Sequence, residues 1–178
     1  VEAIEAKGGR VTAYLDPVES TWLTARWIAD DAVTLKPGNM ALGIGGMGPE
    51  ALIRRHALLR DNLARGHAAP PIVHPAAFVS RSAEIGPGAV VLAGAVVQPE
   101  ARIGVGCIVN SGSIVEHDSH IGDGSHVAPG AVVLGDCTVG EFTMIGAGAV
   151  ILPGASVPDR IVVPAATRFP ASREKLDG

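Results

Sequence analysis

A branched aliphatic residue returns at every sixth position over more than half of this 178-residue chain. The repeat covers 17 positions, of which 16 are Val or Ile and the last is aromatic: Val73, Val79, Ile85, Val91, Val97, Ile103, Val109, Val115, Ile121, Val127, Val133, Val139, Ile145, Ile151, Val157, Val163 and Phe169. A period of six fits neither the turn of an α-helix nor the two-residue alternation of a plain strand. It fits a short strand followed by a corner, so that three repeats form one triangular coil and residues three repeats apart stack in parallel. The sequence therefore predicts a prism of more than five coils.

A small residue occupies the place four after almost every branched one. These residues are Ala77, Ala83, Ala89, Ala95, Ala101, Cys107, Ser113, Ser119, Ser125, Ala131, Cys137, Thr143, Ala149, Ala155 and Thr167, with Ile161 as the exception. Only 3% of the chain is aromatic, so Val, Ile, Leu and Ala must fill the core. Gly86, Gly104, Gly122 and Gly140, which each follow a branched residue, are expected at corners where unusual backbone angles are needed.

Composition excludes several classes of function. The net charge is −4, and the 14 Lys and Arg residues form no basic stripe that could neutralise a phosphate backbone, so we expect no nucleic-acid partner. The longest uncharged stretch, residues 142–158, is shorter than the roughly 20 apolar residues of a membrane helix, so we expect no membrane insertion. Two cysteines allow one disulfide at most, which is not the disulfide framework of a small secreted protein. A cytoplasmic location is therefore the expectation.

The hexad pattern resembles that of the hexapeptide-repeat acyltransferases. The resemblance covers residues 73–169, and it implies a left-handed parallel β-helix. The expected fold class is therefore mainly β, with this β-helix over residues 71–170. A small Rossmann-like α/β domain is expected over residues 1–70, and a polar tail over residues 171–178.

The first 70 residues show a different pattern. Residues 1–7 suggest the end of a helix, residues 10–15 and 40–44 suggest strands, and residues 49–65 suggest an amphipathic helix. On that helix, Leu52, Leu58, Leu59 and Leu63 are expected on one side and Arg54, Arg55, Arg60 and Asp61 on the other. A strand, a glycine-rich turn at residues 43–48 and a helix suggest a small α/β domain, although such a turn is also a plain connection between strand and helix.

This order of domains is similar to that of the nucleotide-amino-sugar N-acetyltransferases and the related sialic-acid O-acetyltransferases. The resemblance implies that the first domain binds the nucleotide part of the sugar. It makes Asp16, at a predicted strand end, and Gly45, in the glycine-rich turn, candidate substrate contacts. Members of this group normally begin with a further strand and a Gly-Gly-His turn, which this chain lacks. We therefore expect either that the chain is truncated at its N-terminus or that the first domain of this member is defective. Truncation is the favoured expectation, because residues 1–4 suggest a helix that begins midway.

Three of the six histidines fall within ten residues, beside two carboxylates. His117, His120 and His126 occupy neither the branched nor the small position of their hexads, so their side chains are free to face a cleft or solvent. Imidazole titrates near neutral pH and is the natural base for deprotonating an amine or hydroxyl. A carboxylate that fixes the imidazole tautomer would strengthen that role, and from the residues alone either Glu116 or Asp118 could supply it.

The family motif, a Glu-His-acidic triplet after Asn, lies on Glu116-His117-Asp118. The resemblance thus implies that His117 is the catalytic base and Asp118 its partner. It makes Asn110 a substrate-binding residue. A structural role in a ladder of side chains along the coil explains an asparagine at this position equally well. No role is implied for His120.

The resemblance also implies a site for acetyl-CoA as co-substrate, with no metal. His126 would contact acetyl-CoA, the backbone N–H of Gly135 would donate to the oxyanion, and the backbone at Ala147 and Ala165 would line the pantetheine groove. Cys107 and Cys137 occupy small inward slots, on different faces of different coils, where they should not pair and would be poor nucleophiles. Direct attack of the substrate on acetyl-CoA, without an acyl-enzyme, is therefore expected.

The expected function is acetyl transfer from acetyl-CoA to the amine of a nucleotide-linked amino sugar. By resemblance the protein would be a homotrimer that binds acetyl-CoA between adjacent prisms. O-acetylation of a sialic acid is the closest alternative. A γ-class carbonic anhydrase, which binds zinc through histidines of neighbouring subunits, is a weaker one, because its histidine spacing differs and it lacks the preceding domain. A scaffold with flat binding faces is weaker too, because the outward residues are irregular and the histidines cluster once.

Overall fold

The computed structural model of the protein describes residues 2–15, 21, 25–28 and 36–170. Its N-terminal elements are α1 (Glu2–Glu5), β1 (Ala13–Leu15), β2 (Arg26–Ile28) and α2 (Pro49–Ala64). The remaining strands are β3 (Ile72–Val73), β4 (Phe78–Val79), β5 (Glu84–Ile85), β6 (Val90–Val91), β7 (Val96–Val97), β8 (Arg102–Ile103), β9 (Ile108–Val109), β10 (Ile114–Val115), β11 (His120–Ile121), β12 (His126–Val127), β13 (Val132–Val133), β14 (Thr138–Val139), β15 (Met144–Ile145), β16 (Val150–Ile151), β17 (Ser156–Val157), β18 (Val162–Val163) and β19 (Arg168–Phe169). The tail expected at residues 171–178 lies outside the described residues.

The two-residue strands β3 to β19 form a parallel β-solenoid with three faces. Sheet I contains β3, β6, β9, β12, β15 and β18; sheet II contains β4, β7, β10, β13, β16 and β19; sheet III contains β5, β8, β11, β14 and β17. Strands one coil apart pair in parallel, with Ile114 opposite Val132 and Val115 opposite Val133. The predicted coil of three hexads and its register are thereby confirmed.

The branched residues form one continuous core inside the prism. The small residues lie beside them near the corners. Three of those with a hydroxyl, at positions 119, 125 and 143, donate to a carbonyl of the next coil. Ser119 Oγ donates to the carbonyl of Leu134 at 2.7 Å, and Ser125 Oγ donates to that of Gly140 at 2.7 Å. These buried hydroxyls are thus satisfied, and each one ties a corner to the corner above it.

The glycines that follow branched residues have a role other than the expected one. Gly86 has no positive φ, whereas Gly88, two residues later, has a φ of 68°. A methyl group on Gly86 would lie 2.8 Å from the carbonyl carbon of Gly104 in the next coil. The expectation of unusual backbone angles at Gly86 and its equivalents is therefore wrong, since what excludes a side chain there is the close approach of successive coils.

The N-terminal part contains fewer regular elements than its sequence suggests. The strands β1 and β2 form a two-stranded parallel sheet, and the helix predicted over residues 49–65 is confirmed as α2. The strand expected at residues 40–44 is wrong, because this stretch forms no ladder and only Asn39 makes an isolated bridge with Ala68. No helix within the described residues is long and apolar enough to cross a membrane.

Helix α2 packs on the corner between sheets III and I. Its buried side chains are Leu52, Arg55 and Leu59. The expectation that Arg55 lies on the polar side of the helix is wrong, and so is the placement of Leu58, which is 40% exposed. Leu59 Cδ2 would lie 2.6 Å from a methyl group placed on Gly88, so the glycine at this corner permits the close approach of the helix.

Candidate active site

His117 and Asp118 lie at the corner that connects sheet II to sheet III, directly after β10. Neighbouring residues on an extended strand point to opposite sides, which would keep these two side chains apart. Asp118 instead has a φ of 59°, in the left-handed region. The turned backbone brings the side chains together, and His117 Nδ1 lies 2.8 Å from Asp118 Oδ2. The carboxylate that pairs with the imidazole is therefore that of Asp118 and not that of Glu116.

The carboxylates around His117 favour its protonated form. The hydrogen bond with Asp118 raises the pKa of His117, and the charges of Asp118, Glu116 and Asp136 raise it further. The His117 side chain is 61% exposed, so water moderates these effects. In the neutral ring, the proton on Nδ1 is donated to Asp118, which leaves the lone pair of Nε2 free to accept a proton.

The ring of His117 lies against the backbone of Gly135 in the next coil. A methyl group on Gly135 would lie 2.7 Å from both Cε1 and Nε2 of the ring, closer than such atoms normally approach. The two residues border a cleft of about 550 Å³. Its lining residues are Glu116, His117, Leu134, Gly135, Asp136, Pro153 and Gly154.

The backbone N–H of Gly135 takes no part in the hydrogen bonding of the solenoid. The equivalent N–H in another hexad, that of Val105, donates to an aspartate of the next coil, Asp123 Oδ1, at 2.8 Å. The coil above Gly135 has Pro153 at the equivalent place, which offers no side-chain acceptor. Among the described residues nothing accepts from the Gly135 N–H, so a donor remains beside the imidazole in the cleft.

Asn110 and His126 form a second group. His126 Nε2 lies 3.0 Å from Asn110 Nδ2, and His126 Nδ1 lies 3.0 Å from the carbonyl oxygen of Gly46. His126 is only 7% exposed, and its desolvation is the main cause that lowers its pKa. The ring is therefore neutral, with Nδ1–H donated to Gly46 and Nε2 accepting from Asn110. The contact of His126 with acetyl-CoA and that of Asn110 with substrate stay predictions.

Apart from His126, which lies on β12, the predicted site residues of the solenoid fall at two different corners. Ala147 and Ala165 stack one coil apart at the corner between sheets I and II, and both are exposed. Asn110 is the first residue of the equivalent corner two coils earlier in the chain. His117 and Gly135 lie at the corner between sheets II and III, so sheet II separates the two groups within a single chain.

The other predicted residues lie apart from the His117 cleft. Asp16 lies outside the described residues. Gly45 is exposed, and a methyl group on it would meet nothing within 4 Å. His120 is exposed on sheet III, between Arg102 and Thr138. The part of the chain that the structure describes contains no group of three or more His, Cys, Asp or Glu residues placed to hold a metal ion.

Arg55 is a buried residue that the sequence pattern did not indicate as part of any site. Its side chain is 1% exposed, its Nε donates to the carbonyl of Ile44 at 2.8 Å, and its Nη1 donates to the carbonyl of Gly106. The spacing of the residues could have indicated its burial, because Leu52, Arg55 and Leu59 are three and four residues apart and so share one face of a helix. The charge of Arg55 instead suggested an exposed position.

Replacing Asp118 by asparagine should move the pH dependence of catalysis. A base acts when it is deprotonated, and the neighbouring carboxylates raise the pKa of His117. With His117 as the predicted base, kcat/KM should therefore rise with pH through a pKa above that of an ordinary imidazole. In Asp118→Asn that pKa falls back, so the acidic limb of the profile should shift to lower pH, while kcat drops at least about tenfold because the ring is less well oriented. Profiles of the variant, the wild type and the exposed control Asp61→Asn test this. A limb that stays in place in Asp118→Asn would contradict it.

Comparison with known proteins finds acetyltransferases of similar sequence and fold. The family described as bacterial transferase hexapeptide (six repeats) matches residues 118–153. The structure of PerB from Caulobacter crescentus in complex with CoA and GDP-perosamine is 28% identical, with a TM-score of 0.87 over 96% of this chain and 82% of PerB. A search of curated proteins gave no significant match.

The acetyltransferase domain of PglB from Neisseria gonorrhoeae FA1090 is equally similar. It is 28% identical, with a TM-score of 0.87, and the match covers 96% of this chain and 86% of that domain. The same domain in complex with acetyl coenzyme A has a TM-score of 0.86. The hexad pattern, the family match over residues 118–153 and these solved structures are consistent with the hexapeptide-repeat acetyltransferase family.

Proposed function

We propose that this protein transfers the acetyl group of acetyl-CoA to the amine of a nucleotide-linked amino sugar. The observation that carries the proposal is the His117–Asp118 pair, which lies in a cleft of the solenoid beside the unused N–H of Gly135. PerB, which has the same fold, binds CoA and GDP-perosamine, and the PglB domain binds acetyl-CoA. The solenoid of this chain supplies a base and a donor of the kind that acetyl transfer requires.

In the proposed reaction the sugar amine attacks the thioester carbonyl directly. His117 Nε2 takes one proton from the attacking nitrogen, and Asp118 stabilises the resulting imidazolium through Nδ1. The carbonyl oxygen becomes negative and accepts a hydrogen bond from the N–H of Gly135. When the tetrahedral intermediate collapses, the carbon–sulfur bond breaks and the imidazolium returns the proton to the CoA thiolate. The products are the N-acetyl sugar and CoA, and His117 is again neutral.

The two cysteines do not suit a covalent route. Both are free and buried within the prism. Burial raises the pKa of the Cys107 thiol to about 12, which disfavours the thiolate that would act as a nucleophile. Direct transfer therefore remains the proposed mechanism.

The charge of the cleft favours an amine over a sialic acid as acceptor. Glu116 and Asp136 line it, Asp118 lies behind His117, and none of the lining residues is Lys or Arg. Carboxylates attract a sugar amine in its protonated form and repel the carboxylate that every sialic acid carries. A bound ammonium group must lose a proton before it attacks, and the same negative surroundings hold it close to the base.

Asp136→Asn should therefore weaken binding of the amino sugar. Asp136 is exposed, so the expected increase in KM for the sugar is about threefold, which corresponds to an exposed ion pair. The KM for acetyl-CoA should stay unchanged, and the increase should shrink at high salt, which screens exposed charges. Steady-state kinetics at low and high ionic strength measure both effects, with Asp61→Asn as a charge-matched control. An equal increase in both KM values would argue against a contact with the amine.

We infer that the active assembly is a homotrimer of left-handed coils. The outward side chains of sheet II are apolar over five successive coils: Phe78, Val96, Ile114, Val132 and Val150. Such a row on an exposed sheet suits packing against a second copy. Packing of copies would also join the His117 corner of one chain to the Ala147 corner of the next. Sedimentation equilibrium should give three times the mass of the chain.

The same proposal gives the two parts of the chain different functions. We assign nucleotide binding to the Rossmann-like domain of residues 1–70 and acetyl transfer to residues 71–170. Because acetyl-CoA is a cytoplasmic metabolite, we place the enzyme in the cytoplasm. In this arrangement Gly45 and Asp16 contact the nucleotide.

The direct test is release of free CoA thiol from acetyl-CoA. The acceptors should include UDP-, GDP- and dTDP-linked 4-amino sugars and free sialic acid, with the same sugars lacking the amine as controls. Turnover with one nucleotide amino sugar supports the proposal and names the substrate. Turnover with sialic acid alone would establish O-acetylation instead, and no turnover with any acceptor would contradict acetyl transfer to sugars.

A further inference from the structure

Arg55 is a buried cation whose partners are two backbone carbonyls. It is the largest fully buried side chain of the described residues, and none of their carboxylates lies within ion-pair distance of it. Desolvation lowers its pKa, as expected for a charge without a counter-ion. Burial of such a group is costly, so a plain core position would favour an apolar side chain. The charge is therefore expected to serve a purpose through the two carbonyls that it binds.

These carbonyls belong to two different parts of the protein. That of Ile44 lies in the glycine-rich turn of residues 43–48, and that of Gly106 lies at a corner of the solenoid. The Arg55 guanidinium thus links the turn to the solenoid from a position on α2. Because a charged donor strengthens its hydrogen bonds, this link is stronger than one between neutral groups.

Two further contacts hold the same turn. The Gly46 carbonyl accepts from His126 on sheet I at 3.0 Å. On the other side of Gly46, a methyl group would lie 2.7 Å from Leu52 Cδ2, so α2 closes directly over the backbone. Ile44 and Gly46 therefore direct their carbonyls inward, while Gly45 and Met47 between and after them are exposed.

We propose that Arg55 is a positioning residue for the nucleotide sugar. By holding the backbone of residues 43–48 against the solenoid, it keeps the exposed side of that turn in the shape that receives the nucleotide part of the acceptor. This inference rests on the proposed function through the predicted contact at Gly45. Arg55 acts through the turn and does not touch the substrate.

The geometry explains why arginine is required at this position. A guanidinium is planar and carries five N–H donors, so it reaches two carbonyls in different directions at once. Lysine keeps the charge but ends in a single ammonium group on a flexible stem. Methionine keeps much of the apolar stem and leaves both carbonyls without a donor. The three side chains thus form a graded series for the same position.

The kinetic test compares Arg55→Met and Arg55→Lys with the wild type. In Arg55→Met the KM for the nucleotide amino sugar should rise at least about tenfold, while the KM for acetyl-CoA stays within about twofold. Arg55→Lys should give an intermediate rise. Arg54→Met, an exposed arginine on the same helix, should leave both KM values unchanged. Equal rises in both KM values, or an unchanged KM for the sugar, would overturn the proposal.

Limited proteolysis of the protein without substrates supplies a second readout. In Arg55→Met the turn of residues 43–48 should be cleaved at least about tenfold faster under native conditions, because the carbonyls of Ile44 in the turn and Gly106 in the solenoid lose their link, while the solenoid core stays resistant. Unchanged cleavage in the turn would overturn the positioning role, even if no sugar proves to be a substrate. If Arg55→Met fails to fold, Arg55→Lys carries both tests, with smaller changes of the same sign expected and unchanged values decisive against the proposal.

Discussion

His117→Ala is expected to lower kcat by about 10² or more and to leave the solenoid intact. The substitution removes the Nε2 lone pair that, in the proposed reaction, accepts the proton of the attacking amine. It also removes the ring that lies over Gly135. The side chain is 61% exposed and contributes nothing to the core, so the thermal midpoint should stay within a few degrees of the wild type. Thiol release at saturating substrates measures the first effect, and thermal unfolding measures the second.

His120→Ala is the matched control for this prediction. His120 lies three residues further along, is exposed on sheet III and is not among the lining residues of the His117 cleft. Its loss should leave kcat close to that of the wild type. An unchanged rate in His117→Ala, or an equal loss in both variants, would show that the base is elsewhere.

The solenoid could be predicted from the sequence because its periodicity leaves one consistent register. Shifting a strand by one residue would turn its inward branched side chain to solvent and bury its polar neighbour. Each hexad repeats this constraint, so Val115 must stack on Val97 and under Val133. A constraint repeated in every coil also predicts which residues lie at corners, and it places His117 and Asp118 outside the core.

The contact between His117 and Asp118 did not follow from the same periodicity. It depends on the left-handed backbone at Asp118, and a pattern of hydrophobic residues carries no information on the φ of a corner residue. The family resemblance supplied the choice between Asp118 and Glu116, and the hydrogen bond of 2.8 Å gives its physical basis. The same holds for Gly135, whose closeness to the ring is a contact between coils.

The N-terminal part was harder to predict because side chains from elsewhere satisfy its backbone. Residues 40–44 are apolar enough to suggest a strand. The carbonyl of Ile44, however, accepts from Arg55, and nearby the carbonyl of Gly46 accepts from His126, whereas a strand would use such groups in a ladder. These bonds join residues far apart in sequence, so no local pattern predicts them. Arg55 was assigned to the solvent side for the related reason that charge usually indicates exposure.

Gly135→Ala is expected to displace the imidazole of His117 and to leave the fold intact. The added methyl group would lie 2.7 Å from Cε1 and Nε2 of His117, so the exposed ring must move aside. Gly135 does not have a positive φ, so alanine fits the backbone without strain, and its N–H is retained. A displacement of about 1 Å in a catalytic group lowers rates by roughly 10², and kcat should fall by about that factor. The thermal midpoint should change by no more than about 2 °C.

The chain itself contains the control for Gly135→Ala. Ala93 occupies the same place in its hexad, at the corner between sheets I and II, and is exposed. This alanine demonstrates that the solenoid tolerates a methyl group at the place that Gly135 occupies when no ring lies over it. Ala93→Gly, the reverse change away from the cleft, should leave kcat unchanged. If Gly135→Ala retains full activity, the ring position seen here is not the one in which His117 acts; if it unfolds, the crowding is structural and the contact with the imidazole is not its only cause.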